Sequence, residues 1–233
     1  MKRKTSKTTI GTYEKKLITF RNPKSVVAEA YRSVRTNIEF SSFDKSVKTI
    51  LVTSAMQEEG KTVVAANIAV AMALSGKKTL MIDADLRNPT QHKIFNISNG
   101  LGLTNILINE NLQLEEVAIT VPTNNLYIIP SGPLPPNPAE LVNSNKMRSF
   151  IASLNYFDTI IVDSPPVTVV TDAAIMASYL DGVVLIVASG QVRKEQASAA
   201  CDQLRRVKAN ILGVVLNKVP ANGSYFYNYY YGS

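Results

Sequence analysis

Gly60, Lys61 and Thr62 follow the apolar run 49–53 across a short loop and open a helical pattern over residues 63–74. A strand, a tight turn and a helix N-terminus in that order make a phosphate cradle, because backbone N–H groups and the positive end of the helix dipole face the anion. In such a cradle the Lys61 ammonium reaches the β/γ-phosphate oxygens and the Thr62 hydroxyl ligates Mg²⁺. Nucleoside triphosphate binding is the predicted chemistry, with Gln57, Glu58, Glu59, Gly60 and Val63 as further contacts. The full pattern requires Gly at the first loop position, where this chain has Ala55.

Carboxylates end two other apolar runs. One reads Leu80-Met81-Ile82-Asp83-Ala84-Asp85-Leu86-Arg87, and strand alternation puts Asp83 and Asp85 on the same side. The other reads Ile160-Ile161-Val162-Asp163-Ser164-Pro165-Pro166, the pattern of a hydrophobic strand that delivers an aspartate to Mg²⁺ or its waters. Each aspartate alone also reads as a turn or capping residue; three beside a phosphate loop make that reading hard to sustain for all of them. Asn217, at the end of the last apolar run, is a weaker candidate for contact with a nucleotide base. Arg87 is also counted among the candidate nucleotide-binding residues, and for it a catalytic role, an allosteric role and pairing with nearby carboxylates all stay open.

These residues need elements that bring them to one edge. Strand-like runs recur at 48–53, 79–82, 126–129, 159–162, 182–187 and 211–216, with helical patterns between most of them. Several are continuously apolar, as strands covered on both faces must be. The predicted fold class is therefore α/β, a mostly parallel central sheet flanked by helices on both faces. Asn137-Pro138-Ala139-Glu140 has a helix-start signature, and a helix is expected from there toward Leu154. Pro130, Pro133, Pro135, Pro136 and Pro138 make a proline-rich loop at a strand end, where doubly wound sheets place ligands. On the helix predicted over 26–40, Val27, Tyr31, Val34 and Ile38 form an apolar stripe, while Glu29, Arg32 and Arg35 follow at i, i+3 on another face. Cys201 lies in the apolar pattern of a helix over about 193–207 and reads as structural.

Composition narrows the setting. At 233 residues and 45% hydrophobic content, one domain can bury a substantial core. The helical apolar stretch 63–74 is too short for a bilayer span and contains Asn67, and no signal peptide precedes it. One cysteine and one histidine cannot make an internal disulfide or a zinc site, so a reducing cytosol fits best. The formal charge of +7 resides in residues 1–24, which carry eight Lys/Arg against Glu14 alone; beyond them 17 basic and 17 acidic side chains balance. Nucleic-acid binding by a basic face is thereby disfavoured. The expected organisation is a basic segment over 1–24, a domain over 25–219 and a flexible tyrosine-rich tail over 220–233. The basic segment reads as a solvated tail or as a contact for anionic lipid or an acidic partner.

That last segment holds Tyr225, Tyr227, Tyr229, Tyr230 and Tyr231, five of the chain's ten tyrosines, behind the breaker run Pro220-Ala221-Asn222-Gly223-Ser224. A tail of this kind is substrate-like. Each phosphotyrosine adds about −1.5 to −2 charges, so a phosphorylated tail would be repelled from Asp83, Asp85 and Asp163.

With these motifs placed, the chain closely resembles the bacterial tyrosine kinases of capsule and exopolysaccharide synthesis (BY-kinases), which are built on the P-loop NTPase fold of the MinD/ParA ATPases. The resemblance runs from about Pro23 to the C-terminus through Glu29–Asn37, Asp83–Pro89, Ser131–Pro138 and the tyrosine cluster. It implies ATP and Mg²⁺ as cofactors, Lys61 and Thr62 on phosphates and metal, Asp83 as the base for the tyrosine hydroxyl, and Asp85 and Asp163 as metal organisers. It also implies trans-autophosphorylation of the tail within a homo-oligomeric ring joined through Glu29, Arg32 and Arg35. Further implied partners are other protein-tyrosine substrates, a phosphotyrosine phosphatase and a transmembrane adaptor that activates the kinase and keeps it at the inner face of the membrane.

Two departures matter. MinD/ParA ATPases carry an extra lysine where this chain has Met56, which favours the kinases. The kinases lead one to expect Pro-Gly at Gln57-Glu58, and a Glu in place of Gly weakens nucleotide binding if that position needs positive φ. A switch ATPase without phosphotransfer and a nucleotide-binding scaffold with a degenerate loop remain the alternatives.

Overall fold

The computed structural model describes residues 16–41, 47–109, 111–121, 123 and 125–220. Most of the basic segment and all five tail tyrosines lie outside the described residues.

In chain order the elements are α1 (Ile18–Arg21), α2 (Val26–Ser41), β1 (Thr49–Ser54), α3 (Lys61–Leu74), β2 (Thr79–Asp83), α4 (Gln91–Ile94), α5 (Leu103–Ile108), α6 (Leu114–Val117), β3 (Ile119–Thr120), β4 (Leu126–Ile129), α7 (Pro138–Asn143), α8 (Asn145–Ser153), β5 (Thr159–Asp163), α9 (Asp172–Ala177), β6 (Gly182–Ala188), α10 (Lys194–Arg206) and β7 (Ile211–Asn217). The strands form one sheet in the order β3-β4-β2-β5-β1-β6-β7. All pairings are parallel except β3 with β4. The six expected runs are all strands; the short antiparallel β3 carried no recognisable signal at two residues.

The continuously apolar runs behave as double-sided burial demands. Every residue of β1, β2 and β5 is buried. One face packs on α3 and Ile38 of α2, the other on Val142, Met147, Met176, Ala200 and Leu204 from α7 to α10. β7 is the edge strand and leaves Val214 and Leu216 exposed. Because parallel strands end together, the C-terminal ends of β1, β2 and β5 bring the phosphate loop, Asp83 and Asp163 to one edge.

Three expectations need correction. The helix expected from Asn137 toward Leu154 is two helices: Ser144 is extended (φ −66°, ψ 153°) and its hydroxyl caps the second by accepting from Met147 N at 3.1 Å. Asn137 makes no side-chain cap; its amide donates to Glu140 Oε2 at 3.2 Å. The apolar stripe of α2 is shifted, with Val27 exposed and Ala28 buried, while Ile38 is buried as expected.

The boundary expected at residue 24 also falls within packed structure. Leu17 and Thr19 are buried, and the mid-helix Asn67 of α3 holds them. Asn67 Oδ1 accepts from Thr19 N (3.1 Å) and Thr19 Oγ1 (3.0 Å), and Nδ2 donates to Lys16 O and Val63 O, both at 2.9 Å. A buried amide is tolerable only when so satisfied. No helix among the described residues is long and apolar enough to cross a membrane.

Candidate active site

The loop between β1 and α3 is clamped by the ends of β6 and β7. Gly60 is left-handed (φ 84°), and a Cβ there would lie 2.5 Å from Asn217 Nδ2, so only glycine fits. That amide, at the end of β7, donates to Glu59 O at 2.7 Å. Asn217, expected near a nucleotide base, therefore braces the loop through its nitrogen. Glu59 was expected among the nucleotide contacts but is buried: Oε2 accepts from Ala188 N at 2.7 Å, at the end of β6, and Oε1 accepts from Met56 N. Glu58 is the strained residue. It sits at φ 61°, a region that costs a residue with a Cβ roughly 1–2 kcal/mol, and its carbonyl accepts from Lys218 Nζ at 2.6 Å. The condition under which Glu in place of Gly matters is thus met.

Across from the loop stands a wall of carboxylates. The β2–β5 register pairs Asp83 with Asp163, so both emerge side by side. Lys61 Nζ donates to Asp85 Oδ2 at 2.7 Å and to Thr62 Oγ1 at 3.2 Å, and lies 3.7 Å from Asp163 Oδ1. Burial works against the Lys61 ammonium, but Asp163 and Asp85 outweigh it and keep its pKa above the ordinary lysine value. Burial pushes Asp83 well above the ordinary carboxylate range and neighbouring Asp163 adds to this, against the pull of the Gln91 N–H. Asp163 is raised too, chiefly by burial and in spite of Lys61.

Gln91, at the start of α4, organises this wall and was not singled out by the sequence. It is fully buried; its backbone N donates to Asp83 Oδ2 (3.0 Å) and its Nε2 to Thr62 O (3.0 Å) and Asp163 Oδ2 (3.1 Å). Asp163 Oδ1 is buried and accepts no hydrogen bond among the described residues, its ion-pair partner Lys61 Nζ standing 3.7 Å away. An orphaned carboxylate oxygen beside the Thr62 hydroxyl suits Mg²⁺, which takes one or two carboxylates together with waters and substrate phosphates. No cluster of three or more His, Cys, Asp or Glu arranged to hold a metal by itself occurs among the described residues.

Arg87 clasps the buried carboxylate of Asp172 in α9 through two bonds of 2.9 and 3.0 Å. Of its three open readings, pairing with a carboxylate is the one observed. Glu29 and Arg32 pair with each other at 2.7 Å, and Arg35 reaches the Ala71 carbonyl at 3.5 Å, all on α2 remote from the carboxylate wall. Gln57 is exposed in the loop and Val63 lies in the first turn of α3. Neither Gln91 nor Asp172 stood out by type: one follows a Pro-Thr turn, the other sits at a helix start, and only burial reveals their roles.

A family model described as "ParA: NUBPL iron-transfer P-loop NTPase" matches residues 45–222. The chain is 41% identical over 218 residues to the tyrosine-protein kinase YwqD of Bacillus subtilis (strain 168), covering 93% of this chain and 92% of that one. The chain belongs to the bacterial tyrosine kinases. Two solved structures share the kinase fold: the chimerical protein CapA2B2, with TM-score 0.84 and 38% identity over 88% of this chain and 91% of the other, and the kinase domain of Escherichia coli tyrosine kinase ETK, with TM-score 0.84 and 31% identity over 89% and 82%.

Proposed function

We propose that this kinase uses Mg-ATP to phosphorylate Tyr225, Tyr227, Tyr229, Tyr230 and Tyr231 of a neighbouring copy, and thereby regulates capsular or exopolysaccharide synthesis and export. One observation carries the reading: Lys61 stands between Asp85 and Asp163 under a phosphate loop, with buried Asp83 at the adjoining strand end. Phosphoryl transfer is mostly positioning and charge neutralisation, and this arrangement supplies both.

Mg-ATP, when bound, supplies the transferable phosphoryl group and part of the neutralising charge. The loop N–H groups and Lys61 would bind phosphate oxygens, Lys61 giving up Asp85 to do so. Thr62, Asp85 and Asp163 would hold the metal and its waters. Asp83 orients the tyrosine hydroxyl and takes its proton late, since a phenol of pKa about 10 is a far weaker acid than any carboxylic acid. The raised pKa of Asp83 narrows that gap.

Met56 separates this reading from a switch ATPase. It is half-buried, packed against the core with Sδ 3.5 Å from Thr168 Oγ1, and supplies no cation to a partner's site. The assembly we propose is a ring joined through Glu29, Arg32 and Arg35, cytoplasmic and tethered to the membrane by a separate adaptor. Likeness to the CapA2B2 chimera supports a two-polypeptide arrangement.

Phosphosite mapping by mass spectrometry after incubation with Mg-ATP tests the reading, with Lys61→Met as the control. Phosphate on the five tail tyrosines that vanishes in the control is expected. ATP hydrolysis with clean tyrosines would move the assignment to a switch ATPase, and neither reaction would indicate a scaffold.

A further inference from the structure

A groove of about 270 Å³ between α5 and the proline-rich loop takes no part in the chemistry above. Its rim carries Leu101, Ile108 and Leu134, exposed by 48%, 61% and 61%, beside Pro135 and Pro136. Among the described residues no lining side chain is charged. Asn105 and Asn109 supply its polar lining, while Thr104 is buried beneath it.

The groove is built rather than incidental. Leu103 N donates to Pro130 O at 2.8 Å and Thr104 N to Ser131 O at 2.9 Å. Asn99 brackets the same turn, accepting from Gly132 N and donating to Gly132 O, both at 3.0 Å. Gly102 lies so close that a Cβ there would be 2.1 Å from Gly132 N. The proline-rich loop continues from β4, the neighbour of β2, so the groove opens on the sheet edge that carries Asp83.

We propose that this groove docks residues 221–233 of a second copy, seating an aromatic ring of that segment while another of its tyrosines occupies the active site. The inference rests on the reading of those tyrosines as phosphoacceptors. An uncharged trough of leucine, isoleucine and proline surface, with the amides of Asn105 and Asn109 in its lining, suits an uncharged aromatic chain bearing hydroxyls, because tyrosine pairs a large apolar face with a polar tip. Residues 221–233 contain five tyrosines, one phenylalanine and no charged side chain. Phosphorylation would place about −1.5 to −2 charges on each docked ring, and an apolar groove without a cation expels such a group. The same surface would hold substrate and release product.

The test uses a fluorescein-labelled peptide of residues 221–233 titrated with the full-length chain. That chain carries Tyr225→Ala, Tyr227→Ala, Tyr229→Ala, Tyr230→Ala and Tyr231→Ala so that its own segment does not compete. Binding is expected to weaken about tenfold with Ile108→Ser or Leu134→Ser, and about tenfold or more when the peptide is phosphorylated. Leu74→Ser, an exposed apolar control at the far end of α3, should leave it unchanged, and thermal melts should show all variants folded. No binding, or binding indifferent to both groove substitutions, overturns the proposal. Groove-dependent binding with clean tail tyrosines in phosphosite mapping would sink the kinase reading of the tail instead. Phosphorylated tail tyrosines with groove-independent binding would sink only the groove.

Discussion

The two walls of the site are held in opposite ways. The phosphate loop is fixed by uncharged contacts and one inward carboxylate: Asn217 on Glu59 O, and Glu59 on the backbone N–H groups of Met56 and Ala188. The carboxylate wall is held by charge, with Lys61 pressed against Asp85 and Asp163 and with Asp83 buried behind them. Hydrogen bonds to strand ends fix the loop backbone in the absence of ligand. In the proposed mechanism the carboxylate wall is provisional, because there Lys61 exchanges Asp85 for phosphate. A kinase needs both: a fixed cradle for what stays and a mobile charge for what is transferred.

Removing the mobile charge should have the largest effect. Lys61→Met is expected to lower phosphoryl transfer about 10³-fold while the chain stays folded, read by a phosphotyrosine rate assay beside a thermal melt. Glu59→Ala breaks the other wall. It strands two buried N–H groups, at about 1–3 kcal/mol each, and should show a lower urea midpoint together with weaker nucleotide binding by calorimetry. Gln91→Leu keeps the volume but leaves Thr62 O and Asp163 Oδ2 without their donor. Stability should fall by about 1–3 kcal/mol, and the Mg²⁺ concentration needed for tight nucleotide binding should rise severalfold; an unchanged Mg²⁺ titration would leave Gln91 a purely structural residue.

Glu58→Gly sharpens the comparison from the loop side. Relief of the left-handed strain should add about 1 kcal/mol to stability and tighten nucleotide binding, and a flat calorimetric result would show that the strain does not reach the cradle. The smallest effect is in pH. A carboxylate whose folded pKa lies above its unfolded value binds extra protons in the folded state. Asp83 and Asp163 therefore make the nucleotide-free protein lose stability as pH rises from the ordinary Asp range near 4 toward their raised values. Urea unfolding in the presence of EDTA should show this slope, and Asp83→Asn should flatten it.

Residues that act through their own local pattern were legible beforehand. The apolar runs named every long strand, the glycine and lysine marked the cradle, and Asp83, Asp85 and Asp163 arrived where strand ends must meet. Reading side-chain direction in the loop was less successful: Glu59 and Asn217 have the types and positions of ligand contacts, yet Glu59 turns inward and Asn217 ties down the loop. The helix expected from Asn137 failed at Ser144, where a cap signal inside a helical pattern won locally.

What the sequence alone determined, then, was the elements and the edge at which they end, since hydrophobic period and loop chemistry act between neighbours in the chain. Tertiary structure decided which polar groups meet. Glu59 finds Ala188 across 129 positions, Asn217 finds Glu59 across 158, Arg87 finds Asp172 across 85, and Gln91 finds Asp163 across 72. A hydrogen bond depends on ångströms and angles, which no spacing along the chain specifies until the sheet has closed the distance.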